Sequence, residues 1–343
     1  MSGGVDSSVA ASLLIEKGLR CKGVTLKLFD NANSMADGKA SGLDDARQTA
    51  DKLGIAHSVL DYTETFREKV ILSFIESYEH GLTPNPCVAC NRNIKFGRLL
   101  SEICHLDCGA LATGHYAQVE KSGSRWLLKK AIDQKKDQSY VLFSLDQEAL
   151  ARVCFPLGVL TKSEVREIAV SRNLTNAGKA ESQDICFVPD GDYGAFMEAF
   201  TGKRYPHGNI LNQEGTVIGS HRGIVRYTLG QRRGLGVAIN RPLYVCAKDA
   251  QHNTVTLGPE NSLYSKTLNA YRINLIACEN MEKPLRVKVK TRYLQTEKPA
   301  WAVQTGDDEI RVDFDEAQRA LTPGQAAVFY DGDIVIGGGI IKA

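Results

Sequence analysis

Along the first two hundred residues, short β-branched runs alternate with longer segments whose apolar positions recur at helical spacing. The pattern predicts a helix over Val9–Lys17, a strand over Gly23–Phe29, a helix over Asp44–Leu53, a strand over Ala56–Leu60 and a helix over Thr63–Glu79. Gly18, Gly54 and Gly81 each stand just past the last periodic position and mark helix stops. A further helix is expected over Ile94–Leu106, leading into an apolar strand at Gly109–Ala112. This alternation argues for an α/β unit, a doubly wound parallel sheet with helices on both faces. From about Pro189 the texture changes. Arg286–Lys290, Trp301–Val303 and Ala326–Tyr330 are short alternating runs between turn signals, so a β-rich region in two pieces is expected there. Met35–Gly42 reads as a polar, mobile loop, and no internal repeat is visible.

A length of 343 residues allows two domains or three small ones, at roughly 150 residues each. No apolar run approaches the roughly 20 residues a membrane helix needs, which excludes a helical membrane protein. The opening residues have neither a basic stretch nor a long apolar core before a cleavage site, so a cytoplasmic protein is expected. Nine cysteines, odd in number and scattered, do not resemble the disulfide framework of a small secreted domain. They are expected to be core residues, metal ligands or reagents. The net charge of +2 hides an uneven distribution: residues 201–300 carry 16 Lys and Arg against 6 Asp and Glu. That stretch is either a solvated basic face or the footprint of a polyanionic partner.

Ser2-Gly3-Gly4-Val5-Asp6-Ser7-Ser8 runs directly into a helical pattern. Glycines let main chain approach an anion, and the free N–H groups and dipole of a helix start attract it. A carboxylate such as Asp6 beside phosphates implies an intervening divalent cation, Mg²⁺. No Lys follows, so this is not a Walker A loop. SGGVDSS resembles the signature of the PP-loop ATP pyrophosphatases, which cleave ATP between its α and β phosphates and adenylate a substrate. A doubly wound fold places such a loop after its first strand. Nothing precedes Met1, so the sequence is expected to begin at an internal methionine and to lack a short apolar strand.

Cys87 and Cys90 lie in Pro84-Asn85-Pro86-Cys87-Val88-Ala89-Cys90-Asn91, which the two prolines mark as an extended loop between helices. With Cys104 and Cys108 the spacing admits a zinc site, although Cys104 falls inside an expected helix. Cys186, between Ile185 and Phe187, reads alone as a buried core residue. Its company alters that reading. SGGVDSS, PNPxxxCNxxIKF (84–96), ATGHYA (112–117), KDQSY (136–140), ESxxICF (181–187), LGQRRGLG (229–236), KTRYxQ (290–295) and PGQ (323–325) recur in order from one end of the chain to the other. The set closely resembles the bacterial tRNA-specific 2-thiouridylases.

That resemblance implies an ATP-dependent tRNA sulfurtransferase. The 2-oxygen of the wobble uridine, U34, is adenylated, and sulfur then displaces AMP. It implies three parts: a PP-loop catalytic unit over 1–189, a small β-rich tRNA-binding unit over 190–262 and a C-terminal β-barrel over 263–343. By the same resemblance Cys186 carries the persulfide, and Cys90 is the nucleophile that frees the sulfur and forms a disulfide with Cys186. Ser2, Gly3, Gly4, Val5, Asp6, Ser7, Leu26 and Gly114 match nucleotide-binding positions. Asn85, Pro86 and Cys87 match the segment that meets the target base, Cys87 standing where several family members have Asp. His115, Lys136, Asp137, Gln138, Arg292, Tyr293 and Gln325 match tRNA contacts. Implied partners are ATP, Mg²⁺, tRNA and a persulfide-donating protein. From the residues alone, His115 could equally be a satisfied strand-end histidine. Arg232 and Arg233 stand in a Gly-rich turn of the basic stretch, and phosphate contact is the expectation there. Two rival functions are another PP-loop adenylating synthetase, which needs no second reactive cysteine, and a zinc-stabilised RNA-binding module.

Overall fold

The computed structural model describes residues 1–29, 42–174, 185–237 and 241–343. The expected loop at 35–41 and the Glu181–Asp184 part of the ESxxICF motif lie outside the described residues. The chain opens with α1 (Val5–Glu16), β1 (Gly23–Lys27), α2 (Gly42–Lys52) and β2 (His57–Asp61). Next come α3, a continuous helix over 63–79, and α4, another over 86–106. Gly18, Gly54 and Gly81 all have positive φ, as helix-stopping glycines should. In α2 the buried positions Ala46, Thr49 and Ala50 fall on one face, which explains why so polar a segment is helical here.

β1 and β2 pair in parallel, Leu26 opposite Leu60. A second parallel pair joins β3 (Leu111–Ala112) to a later strand. Between them stand β4 (Ala117–Ser122) and β5 (Arg125–Lys130), an antiparallel hairpin. The partner of β3 is β6 (Val153–Cys154), followed by α5 (Lys162–Ser171) and α6 (Tyr193–Thr201). Helices pack on both faces of the parallel strands. α1 and α5 share a core of Val5, Val9, Ala10, Val165 and Ala169. α3 and α4 share another, with Phe66, Phe74, Cys90 and Ile94.

A four-stranded sheet follows, in the order β8 (Val217–His221), β7 (Gly208–Leu211), β10 (Thr254–Gly258), β9 (Tyr244–Asp249). The remaining six strands, β11 (Tyr264–Leu275), β12 (Leu285–Lys290), β13 (Lys298–Gly306), β14 (Glu309–Arg319), β15 (Ala326–Asp331) and β16 (Ile334–Ile341), form a barrel. Its order is β11-β14-β13-β12-β15-β16, and β16 returns to β11. The three C-terminal runs expected from the sequence fall in β12, β13 and β15.

Two local features depart from expectation. The Pro84–Asn91 segment, expected to be an extended loop, enters the first turn of α4: Asn85 caps it, its side chain accepting the Cys87 N–H at 3.0 Å, and Pro86 occupies the first helical position. Proline is favoured there because its missing N–H would have no helical acceptor. The hairpin β4–β5 also leaves the α/β sheet and extends the barrel, with Lys129 opposite Ile334 and Leu128 opposite Val335.

Candidate active site

Gly4 caps α1 without a side-chain bond, at the positive end of the helix dipole. Hydroxyls tie the loop to the helix. The Ser2 N–H donates to Ser7 Oγ at 3.1 Å, and the Ser7 and Ser8 hydroxyls donate to the Gly4 carbonyl at 3.1 and 3.0 Å. Gly3 has φ +71°, and a Cβ there would lie 2.4 Å from the Gly42 carbonyl oxygen, so glycine lets the loop pack on the start of α2. The Val5 side chain is buried beside α5, which leaves only its main chain for a ligand. Gly114 stands directly behind the turn: a Cβ there would lie 2.7 Å from the Asp6 carbonyl carbon and 2.8 Å from Ser7 N. Leu26, in β1, packs half-buried against the neighbouring core.

Asp6 is held by two groups. Its Oδ1 accepts from Lys162 Nζ at 2.6 Å and from the Tyr116 hydroxyl at 2.8 Å. A lysine is therefore present at the loop, delivered from α5, and sequence reading that looked only downstream of SGGVDSS missed it. The available signal was the Thr161-x-x-Glu164 capping box, which fixes Lys162 at a helix start without saying what it faces. One carboxylate is a fitting protein ligand for Mg²⁺, which ordinarily takes one or two carboxylates and leaves other positions to phosphates and water. Among the described residues no group of three or more His, Cys, Asp or Glu could hold a metal by itself.

From Gly114 the site continues to the thiols. His115 is buried between Phe96 and Phe155, with ring centres 5.7 and 5.9 Å away, and shares a 2.7 Å hydrogen bond with Thr113 Oγ1. Burial, reinforced by Lys95, holds its imidazole well below the usual histidine range, so it is neutral. Lys95 is half-buried and forms no ion pair among the described residues. Its charge acts on Cys87, Cys90 and Cys186 alike. Cys90 and the segment Ile185–Val188 belong to one core, in which Phe187 meets Phe66 and Phe74 edge-on at 5.8 and 5.5 Å.

Cys90 and Cys186, 96 positions apart, are thus neighbours, Cys186 exposed and Cys90 buried. Desolvation pushes the Cys186 thiol up to about 11, and neighbouring Cys90 and Cys87 add to the shift. Cys90 and Cys87 are also pushed up by burial, against the pull of Lys95. The resting thiols are protonated at neutral pH. The four-cysteine zinc arrangement does not assemble: Cys104 accepts from Arg152 Nη2 at 3.2 Å, and Cys108 lies beside Cys21.

Several residues matched to tRNA contacts make structural bonds. Asp137 is buried and accepts from the Ala131 and Ser139 N–H groups at 3.0 and 3.2 Å and from the Ser139 hydroxyl at 2.8 Å. Gln138 accepts the Tyr116 N–H at 2.9 Å. Arg292 donates to the Ala320 carbonyl at 2.9 Å, and Gln325 to the Thr83 carbonyl at 2.7 Å. Tyr293 packs 6.1 Å from Tyr140 and neighbours Cys87, so the barrel borders the cysteine helix. Lys136 is half-buried, and Arg232 and Arg233 are exposed. Next to Tyr293, Leu294 is 88% exposed, the most exposed large apolar side chain described.

Three family models match the chain. Residues 1–190 match a tRNA methyl transferase HUP domain, 194–259 a tRNA methyl transferase PRC-barrel domain and 265–341 an aminomethyltransferase β-barrel domain. Curated relatives match from end to end. The tRNA-specific 2-thiouridylase MnmA of Acetivibrio thermocellus is 47% identical over 350 residues, covering 100% of this chain and 98% of the relative. Those of Clostridioides difficile and Treponema denticola are each 45% identical, covering all of this chain and 96% of the relative. With this identity and coverage, the chain belongs to the family of tRNA-specific 2-thiouridylases.

Proposed function

We propose that this enzyme uses ATP to adenylate the 2-oxygen of U34 in tRNA and replaces that oxygen with sulfur carried as a persulfide on Cys186. The observation that carries the reading is the continuity of the site. The phosphate loop, Gly114, His115, Lys95, Cys90 and Cys186 follow one another as neighbours. A carbonyl oxygen is a poor leaving group, and adenylation converts it to AMP while releasing pyrophosphate. The Cys90 thiolate attacks the Cys186 sulfur of the persulfide, a Cys90–Cys186 disulfide forms, and the terminal sulfur leaves with the bonding pair. That sulfur ends on C2 of the base, and AMP departs with the oxygen. The same bonds change whether sulfide or the intact persulfide meets C2. The disulfide is then reduced by an external thiol. Two neighbouring thiols favour sulfur transfer over both methyl transfer and a synthetase reaction on a small carboxylate.

Ser2 to Ser7, Leu26 and Gly114 form the nucleotide site, where Asp6 would hold Mg²⁺. When bound, that ion supplies charge neutralisation. Asn85 to Cys87 face the base, and Cys87 replaces a carboxylate there, so this chain does not depend on an acid at that position. Lys136, Tyr293, Arg232 and Arg233 meet tRNA, while His115, Asp137, Gln138, Arg292 and Gln325 hold the surface from behind. The division at 189 and 262 follows sheet membership, apart from the β4–β5 hairpin. A separate protein delivers the persulfide, and a reducing cytoplasm suits the nine free thiols. No described helix is long and apolar enough to cross a membrane.

The test is incubation with ATP, Mg²⁺, a persulfide donor and unmodified tRNA, followed by mass analysis of nucleosides. The expected product is 2-thiouridine, absent for Cys90→Ser and Cys186→Ser. Unchanged yield from both variants overturns the mechanism.

A further inference from the structure

The connection between β12 and β13, residues 291–297, is anchored at both ends to the N-terminal part of the chain. Lys290 closes β12, and its ammonium lies 3.7 Å from Asp137 Oδ2. Glu297 stands just before β13, and its Oε1 lies 2.6 Å from Lys130 Nζ at the end of β5. The two pairs run in opposite senses: the barrel supplies a cation at one end of the loop and an anion at the other, and each meets its complement across the boundary. All four groups are shielded, with side-chain exposures of 13% for Lys290, 1% for Asp137, 8% for Lys130 and 14% for Glu297. Between the pairs stands the Tyr330 ring, its centre 4.6 Å from the Lys130 ammonium and 5.5 Å from that of Lys290. The negative face of the ring favours both cations. The Tyr330 hydroxyl lies 3.3 Å from Ser139 Oγ, which donates to Asp137 Oδ2 at 2.8 Å, so ring and ion pairs form one cluster. Within this frame Thr291 Oγ1 donates to Gln295 Oε1 at 2.7 Å and closes the loop on itself.

Taking four charges out of water is costly, and paired burial often stabilises no more than apolar packing would, so stability alone is a poor reason for the cluster. Complementary charges do select one register, because any other leaves a buried charge facing its like or nothing. We propose that Lys290 and Glu297 are positioning residues that hold the 291–297 loop in one register, so that Tyr293 stands against the cysteine helix where the target base is presented. The proposal rests on the tRNA reading above and adds to it the residues that place the loop. The frame is built on the border of the phosphate loop. Gln138, next to Asp137, accepts the Tyr116 N–H at 2.9 Å and donates its own N–H to the Tyr116 carbonyl at 2.8 Å, while the Tyr116 hydroxyl bonds to Asp6 at 2.8 Å.

The experiment measures thiolation of unmodified tRNA by the full chain, separating kcat from KM. Lys290→Met and Glu297→Gln are each expected to lower kcat about tenfold or more and to raise KM for tRNA less than about threefold, because a misplacement of about 1 Å costs rate far more than binding. Lys290→Arg keeps a cation able to stack on the Tyr330 ring and should recover most of the loss. Hydrogen exchange on the same proteins follows the fold: exchange should quicken in the peptide spanning 291–297 and stay unchanged in β15 and β16. Faster exchange throughout the barrel would make the pairs structural only and overturn the proposal. So would a loss carried by KM alone, an unchanged kcat, or a rate for Lys290→Arg no better than for Lys290→Met. Wild-type protein that forms no 2-thiouridine defeats the tRNA reading itself, whereas wild-type activity that both variants retain defeats only this inference.

Discussion

The side-chain amide of Gln325 donates to the main-chain carbonyl of Thr83 at 2.7 Å, tying the barrel to the strand of chain that enters the cysteine helix. The grip is double, because the Thr83 N–H donates back to the Pro323 carbonyl at 2.9 Å. Between these contacts Gly324 has φ +91°, and a Cβ there would come within 2.9 Å of Thr83 N. The barrel therefore sets where Asn85 and the thiols stand.

Removing the grip should slow the reaction more than it weakens tRNA binding. Gln325→Ala is expected to cost about 1 kcal/mol of stability, read by denaturant unfolding. It should lower the rate of thiolation at saturating tRNA while tRNA affinity changes less than about twofold. A loss of affinity equal to the loss of rate would instead make Gln325 a direct tRNA contact.

Thiol reactivity should rise late in pH. Since the Cys186 thiol is pushed up to about 11, its alkylation by iodoacetamide should climb about tenfold per pH unit through pH 8 to 10. Lys95→Met removes the cation facing both Cys186 and Cys90, so their midpoints should move higher still and thiolation at pH 8 should fall. Peptide mass analysis after timed alkylation follows each cysteine separately. Unmoved midpoints would show that Lys95 does not favour the thiolates.

Acid should destabilise the fold through His115. Its folded state stays neutral well below the ordinary value of 6.5, so its contribution is present above pH 6.5. Below that, the unfolded chain takes up a proton that the folded one refuses, and stability falls by about 1.4 kcal/mol per pH unit for one such group. His57 and His221 are shifted in the same direction and add to the slope. His115→Gln should therefore flatten, without abolishing, the decline of unfolding free energy between pH 6.5 and 5. An unchanged slope would assign the acid sensitivity elsewhere.

Binding of tRNA should weaken steeply with salt. Each phosphate neutralised by the basic stretch releases counterions, so log affinity should fall linearly with log salt. Arg232→Glu with Arg233→Glu should reduce that slope by about one to two contacts. A flat salt response in wild-type protein would remove residues 201–300 as a docking face.

Periodicity made the helices and strands of the first unit legible because each buries one face of its own segment. α2 is read from Ala46, Thr49 and Ala50, and β1 from its β-branched run. Punctuation was harder to read. Pro86 looks like a breaker until Asn85 is seen as a cap, and Gly3-Gly4 look like loop although α1 begins at Val5. Contacts between distant segments left no local trace: the 156 residues separating Asp6 from Lys162 and the 242 separating Thr83 from Gln325 exceed any window over which spacing carries information. The resemblance supplied the chemistry of Cys90 and Cys186, but in the structure Gln325 spends its side-chain amide on main chain, and Asp137 its carboxylate on the Ala131 and Ser139 N–H groups and the Ser139 hydroxyl.

The β4–β5 hairpin carries a consequence for synthesis. The Lys130 N–H donates to the Asp333 carbonyl at 2.8 Å, and its ammonium to the Gly332 carbonyl at 2.7 Å, a partner made 202 residues later. At about 5–20 residues per second, the hairpin waits about 10–40 s on the ribosome with an open strand edge. The first unit is thus translated early and finished late. A chaperone that shields that edge would raise the yield of folded enzyme, and a stop codon before β16 would cost the ATP-binding unit one of its sheet partners as well as opening the barrel.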